Sequence, residues 1–88
     1  MIILTDEEHI YYLIGQNIRY YRKLYNLNKS KDKELTQEKL AELAGVSVSL
    51  IGNLESDKVS QGVSVYNLWK ISNILNVPIQ KFFAEIKN

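Results

Sequence analysis

Residues 19–39 concentrate the side chains that can form ionic contacts with an anionic partner. They contain seven basic residues: Arg19, Arg22, Lys23, Lys29, Lys31, Lys33 and Lys39. Only Asp32, Glu34 and Glu38 oppose them there, whereas other acids crowd residues 6–8. The net charge of +1 alone favours no class of partner, but this distribution allows one basic face.

Catalytic and metal chemistry have little support. Cysteine is absent, which excludes disulfides, thiolate zinc sites and cysteine nucleophiles. His9 is the single histidine, and we place it on the outward side of a helix, where a surface role is favoured over metal ligation. Neither a glycine-rich phosphate loop nor a catalytic carboxylate pair is apparent. We therefore predict no enzyme, no metal site and no cofactor.

The chain is short enough to predict one domain over residues 1–88. Its hydrophobic content of 45% suffices for a small core. The opening MIIL is only four residues long and precedes acids, so we expect no signal peptide or membrane span, and a cytoplasmic location.

Thr5 and Glu8 have the spacing of a capping box and predict the start of the first helix, which runs to about Tyr25. Its expected buried stripe has helical periodicity and consists of Ile10, Ile14, Ile18, Tyr21 and Tyr25. A polar, lysine-rich loop is expected at about 26–35.

Residues at about 36–56 predict two short helices around a corner. Thr36 can cap a second helix that buries Leu40, Leu43 and Ala44, and Gly45 suits the left-handed conformation that ends it. Ser47 can then cap a third helix from Val48 to about Ser56, with Ile51 and Leu54 inward. This arrangement is a helix-turn-helix.

The remaining sequence predicts two more helices. Ser64 can cap a fourth, which Asn76 ends, and Pro78 suits the first turn of a fifth at about 78–86. The expected inward residues of the fourth are Val65, Leu68, Ile71 and Leu75. The apolar residues of the fifth are Ile79, Phe82, Phe83 and Ile86. We therefore predict a compact all-α fold of five helices.

From Ile14 to Phe83 the chain resembles the XRE family, the phage-repressor and Cro type of helix-turn-helix protein. The segments that carry the resemblance are IGQNIRYYRKL, LTQEKLAELAGVSVSLIGNLE and NLWKISNILNVPIQKFF. The resemblance implies a lambda-repressor-like domain whose third helix enters the major groove of double-stranded DNA.

The resemblance implies that Val48, Ser49, Gly52 and Asn53 face the bases. Asn53 can form a bidentate pair with adenine, Val48 can pack on a thymine methyl, and Ser49 can bond to several bases. Gly52 has no side chain and lets the helix approach the DNA closely. Such a set favours A·T pairs.

Other positions of the family pattern imply supporting roles. Gln37, Ser47 and Lys58 match contacts to the DNA backbone, which fix register without reading sequence. Arg22 and Glu55 match a charged pair that links the first helix to the third, so Arg22 is assigned mainly to structure.

The chain departs from the family pattern in its loops. The first loop is long, and its Lys29, Lys31 and Lys33 could reach phosphates if it lies beside the second helix; a solvated loop is the equal alternative. Asp57, which tolerates left-handed geometry, stands near the place of a usual glycine, and Val63 replaces a common proline.

The predicted function is that of a sequence-specific DNA-binding transcription regulator, a repressor rather than an activator. One domain reads about half a helical turn, so a homodimer is expected on half-sites ~34 Å apart. Its interface could use the N-terminal segment, Trp69 or the C-terminal helix. The alternative is a protein-binding module, antitoxin-like or adaptor, in which DNA contact is autoregulatory or lost.

Overall fold

The computed structural model describes residues 6–85. This part of the chain contains helices, turns and irregular segments, and no strand. Four α-helices and two short 3-10 turns follow in the order α1 (Asp6–Asn26), a 3-10 turn (Lys31–Lys33), α2 (Gln37–Ala44), α3 (Val48–Glu55), α4 (Val65–Leu75) and a 3-10 turn (Ile79–Phe83). The predicted all-α class is confirmed. Thr5, Ile86 and the MIIL segment lie outside the described residues.

The core lies where α1 packs on α3 and on the C-terminal turn, while α2 packs on α3 and α4. The four α-helices and the C-terminal 3-10 turn each contribute one of the largest completely buried side chains. These are Ile18, Leu40, Ile51, Ile71 and Phe82. Since these five side chains belong to one buried cluster, the two helices of the helix-turn-helix are held by the rest of the chain.

The predicted corner at Gly45 is confirmed. Its φ of 68° and ψ of 33° are left-handed, and its N–H donates to the carbonyl of Glu42. The Thr36 hydroxyl accepts the backbone N–H of Lys39 at the start of α2, and Ser47 does the same for Leu50 at the start of α3. Both short helices are therefore capped by their own sequence.

Backbone contact between α1 and α3 depends on Gly15. A Cβ atom built on this glycine would overlap the carbonyl oxygen of Leu54 and lie 2.7 Å from its carbonyl carbon. No other residue type fits at this crossing without movement of one helix. Glycine is unfavourable within a helix, and the close approach explains its presence in α1.

The prediction of a fifth α-helix at 78–86 is wrong. The segment forms a 3-10 turn over Ile79–Phe83. The buried Asn17 side chain donates from Nδ2 to the carbonyls of Phe82 (2.9 Å) and Ala84 (2.8 Å), so these carbonyls bond to α1 instead of to a further helical turn. Phe82 is buried and Phe83 is 44% exposed, because neighbouring residues of one turn cannot both face the core.

Three residues expected in the core are exposed: Tyr25 (38%), Leu43 (53%) and Val65 (78%). Tyr25 lies near the end of α1, beyond the buried part of that helix at 13–18. In α2, Ala41 is buried in place of Leu43. Val65 is the first residue of α4 and precedes the part of the helix that meets the core.

The chain leaves α3 without a left-handed residue at Asp57. Among the described residues, positive φ angles occur at Gly45 and Asn76, and Asp57 has none. The helix ends at Glu55, within one residue of the predicted end, and its C-cap Ser56 is extended with φ −79° and ψ 140°. Asn76, with φ 59°, ends α4 as predicted.

Alanine substitutions at two helical glycines should have opposite effects on stability. Gly15→Ala should lower the free energy of unfolding by about 2 kcal/mol, since the new methyl group forces α1 from α3. Gly52→Ala is the control: its Cβ would lie 3.7 Å from Gln37 Oε1, an ordinary contact, and should raise stability by about 1 kcal/mol. Urea unfolding measures both, and stabilisation by Gly15→Ala would contradict the close crossing.

Candidate nucleic-acid interface

The outward surface of α3 carries the four residues for which base contact is expected. Val48 and Ser49 are exposed, and Gly52 and Asn53 are half-buried. Their spacing places them on one side of the helix, opposite Ile51 and Leu54. The structure therefore brings these four residues together on a surface accessible to a partner.

A buried ion pair fixes α3 to α1. Arg22 donates to both carboxylate oxygens of Glu55, from Nε at 2.8 Å and from Nη2 at 2.7 Å. The side chains are only 13% and 2% exposed, respectively. The hydrogen bond to Glu55 raises the pKa of Arg22 while burial opposes it, so the guanidinium stays charged. Its Nη1 also donates to the carbonyl of Leu35.

Glu55 links α2 to the same pair. Gln37, the first residue of α2, donates from Nε2 to Glu55 Oε1 at 3.0 Å. Gln16 of α1 donates to the backbone carbonyl of Glu55 at 3.3 Å. The Gln37 amide therefore has a fixed orientation next to Gly52, at the end of α2 where backbone N–H groups lack helical partners.

Two basic residues that received no role from the sequence lie beside this junction. Arg19 and Lys23 of α1 line an open polar pocket together with Gln37, Gly52 and Ser56. Within residues 6–85, neither side chain forms an ion pair with an acid. Their separation of four residues, on the helix that also carries Arg22, was the signal that could have identified them.

The lysine-rich loop is closed at its base by Asn26. The Asn26 side chain donates to the Leu35 carbonyl at 2.9 Å and accepts the Leu35 N–H at 2.7 Å. Lys29 lies with its Nζ 4.6 Å from the centre of the Tyr25 ring. Lys29 and Lys33 line a second pocket, which shares no residue with the pocket beside α3.

The two ends of α3 carry further polar groups. The Ser47 hydroxyl accepts the Leu50 N–H at 3.1 Å, which leaves its own proton for an external acceptor. Lys58 is exposed just after the helix, and its backbone N–H donates to the Ser56 hydroxyl.

Asn53 contacts a residue that sequence reasoning missed. Its Nδ2 donates to Gln61 Oε1 at 3.2 Å. Gln61 belongs to the loop between α3 and α4, and loop composition gave no signal that it would return to α3.

His9 lies on the surface, with Nε2 3.3 Å from Glu85 Oε1 in an exposed pair. The described part of the chain contains no group of three or more His, Cys, Asp or Glu residues arranged to hold a metal ion. No helix within residues 6–85 has the length and hydropathy to cross a membrane.

A helix-turn-helix family model matches residues 24–82. The fold is similar to the restriction-modification controller protein C.AhdI from Aeromonas hydrophila, with a TM-score of 0.63 and 29% identity over 83% of this chain and 96% of that protein. It is also similar to the hypothetical transcription factor NHTF from Neisseria, with a TM-score of 0.66 and 20% identity over 94% of this chain and 82% of that one. No curated protein sequence matches the chain.

Removing one partner of the buried ion pair should destabilise the protein. Arg22→Met leaves the Glu55 carboxylate without its cation and should reduce the free energy of unfolding by about 3 kcal/mol. The double substitution Arg22→Met with Glu55→Met removes the unpaired charge and should restore much of that loss. A urea-unfolding double-mutant cycle measures the coupling; purely additive losses would contradict it.

Proposed function

Because the chain belongs to the XRE-type helix-turn-helix family of DNA-binding transcription regulators, we propose that it represses transcription by binding specific DNA sites as a homodimer. The observation that carries this proposal is the outward surface of α3, where Val48, Ser49, Gly52 and Asn53 face away from the core. A helix of this kind fits the major groove, where base edges can be distinguished.

Each of the four residues has a proposed part in reading the bases. The Asn53 amide pairs with adenine, the Val48 methyl groups pack on a thymine methyl, and the Ser49 hydroxyl bonds to a neighbouring base. Gly52 has no side chain and allows the groove wall to approach α3. The preferred half-site is therefore rich in A·T pairs.

Contacts to the DNA backbone would set the position of α3. Gln37 and the N-terminal N–H groups of α2 suit one phosphate, and the hydroxyl of Ser47 and the ammonium of Lys58 suit others. Lys33 is a further phosphate contact from the loop. The pocket beside α3 adds Arg19 and Lys23 as candidates on the same side of the protein.

A dimer is proposed because one α3 covers too little DNA for useful specificity. Two-fold symmetric half-sites would lie ~34 Å apart. Candidate interfaces are the N-terminal segment, the exposed Trp69 and the C-terminal turn with its exposed Phe83. A regulatory role also agrees with the similarity of the fold to C.AhdI, which is a restriction-modification controller protein.

A protein-binding module is the second candidate. Tyr66 and Trp69 stack on the surface of α4 with ring centres 6.4 Å apart, and both are more than half exposed. Such an aromatic pair suits a protein partner. Isolation of a stable complex with a second protein, together with failure to select any DNA motif, would favour this antitoxin-like or adaptor function.

Selection from random duplexes tests DNA reading directly. The wild-type protein should return a palindromic motif, and Asn53→Ala should lose preference at one position of each half-site, with about 10-fold weaker binding. Asn73→Ala, at an exposed position of α4, is the matched control and should leave the motif unchanged. An identical motif from Asn53→Ala would remove Asn53 from the base-reading set.

The salt dependence of binding tests the phosphate contacts. Lys58→Ala and Lys33→Ala should each reduce the slope of log K against log salt concentration by about 0.9, because each removes one released counterion. The combined Arg19→Ala and Lys23→Ala variant should reduce it by about 1.8. Lys81→Ala, on the C-terminal turn, is the control and should keep the wild-type slope, once gel filtration has shown that it has the oligomeric state of the wild type.

An unchanged slope with Lys33→Ala would exclude that lysine as a phosphate contact. If the triple alanine variant of Lys29, Lys31 and Lys33 also kept the wild-type slope, the whole loop would be a solvated segment.

A further inference from the structure

The side chain of Asn53 belongs to a short hydrogen-bonded chain that ends on the protein backbone. Asn53 Nδ2 donates to Gln61 Oε1 at 3.2 Å, and Gln61 Nε2 donates to the carbonyl of Gly62 at 2.9 Å. Gly62 lies against the ring of Tyr11, since a Cβ built on it would be 3.5 Å from Tyr11 Cζ. Gly62, whose carbonyl ends the chain of hydrogen bonds, is thus packed against Tyr11 of α1.

The direction of every bond in this chain follows from that carbonyl. A carbonyl only accepts hydrogen bonds, so Gln61 must present its NH₂ group to Gly62 and its oxygen to Asn53. Asn53 must then turn its NH₂ group toward Gln61. One of its two N–H bonds is used, while Oδ1 and the other N–H remain for an external partner.

We propose that Gln61 is a positioning residue that restricts Asn53 to adenine and rejects guanine; this inference rests on the proposed DNA reading by Asn53. Adenine presents an acceptor and a donor in the major groove, which match the remaining N–H and Oδ1 of Asn53. Guanine presents two acceptors, N7 and O6. A free asparagine amide can offer both N–H bonds to them, but one bonded to Gln61 cannot.

Gln61 acts through Asn53 and not by its own contact with DNA. Its oxygen bonds to Asn53 and one of its N–H bonds is used by the Gly62 carbonyl, so these bonds hold the half-buried side chain on the protein. The orientation of Asn53 is therefore set before DNA arrives, which lowers the ordering cost of binding.

The test compares binding of the full chain to two duplexes. One carries the selected motif, and the other has guanine in place of the adenine whose preference depends on Asn53. Gln61→Met keeps side-chain volume but removes both hydrogen bonds, and it should reduce the adenine-to-guanine preference about 10-fold while other positions keep theirs. Asn73→Ala, at the exposed position of α4 already used as the control for the selection, is the control here as well.

A double-mutant cycle separates the possible outcomes. Asn53→Ala combined with Gln61→Met should show the same preferences as Asn53→Ala alone. Additive losses, or a changed preference at another base, would mean that Gln61 contacts DNA itself and would overturn the inference. If Asn53→Ala abolishes the adenine preference and Gln61→Met leaves it intact, only the positioning role fails. If Asn53→Ala has no effect on that preference, the base-reading assignment of Asn53 fails as well.

Discussion

The orientation of α3 depends on one buried carboxylate. Glu55 accepts two hydrogen bonds from Arg22 of α1 and one from Gln37 of α2, so three helices meet at a single side chain. A buried charge is tolerated only when it is paired and bonded in this way. Glu55 also lines the pocket beside α3 together with Gln37 and Gly52. The bonds that hold the three helices together therefore also set the position of Val48 and Asn53, which belong to the same helix as Glu55.

Most of the fold could be predicted because its signals are local. Thr36, Ser47 and Ser64 each cap the helix that follows, and Gly45 and Asn76 each end a helix in the left-handed conformation. These choices depend on steric and hydrogen-bonding properties of neighbouring residues. The C-terminal segment did not follow local propensity, because its conformation depends on hydrogen bonds from distant Asn17.

The residues of the candidate site, too, were predictable where the signal is local and not where it depends on distant contacts. Helical spacing alone places Ser49 and Asn53 on one surface, and the family pattern points to them. Periodicity does not show how far a helix extends past the core, which explains the exposure of Tyr25. It also could not locate Gln61, since a contact across eight residues of irregular chain depends on the path of the loop and on the fixed carbonyl of Gly62.

The net charge of the chain limits how the proposed DNA-binding site could obtain its affinity and specificity. With a net charge of +1, the chain as a whole has little general attraction for polyanions, so its binding without base contacts should be weak. If the chain binds DNA as proposed, affinity at a specific site must come from a few well-placed groups, for which Arg19 and Lys23 are the phosphate candidates and Asn53 is the base-reading candidate. Specificity is the ratio of these two affinities, and weak background binding increases it. Under the proposed function, a fixed Asn53 amide would matter more than it would in a strongly basic protein, because fewer other contacts could compensate for a mismatch.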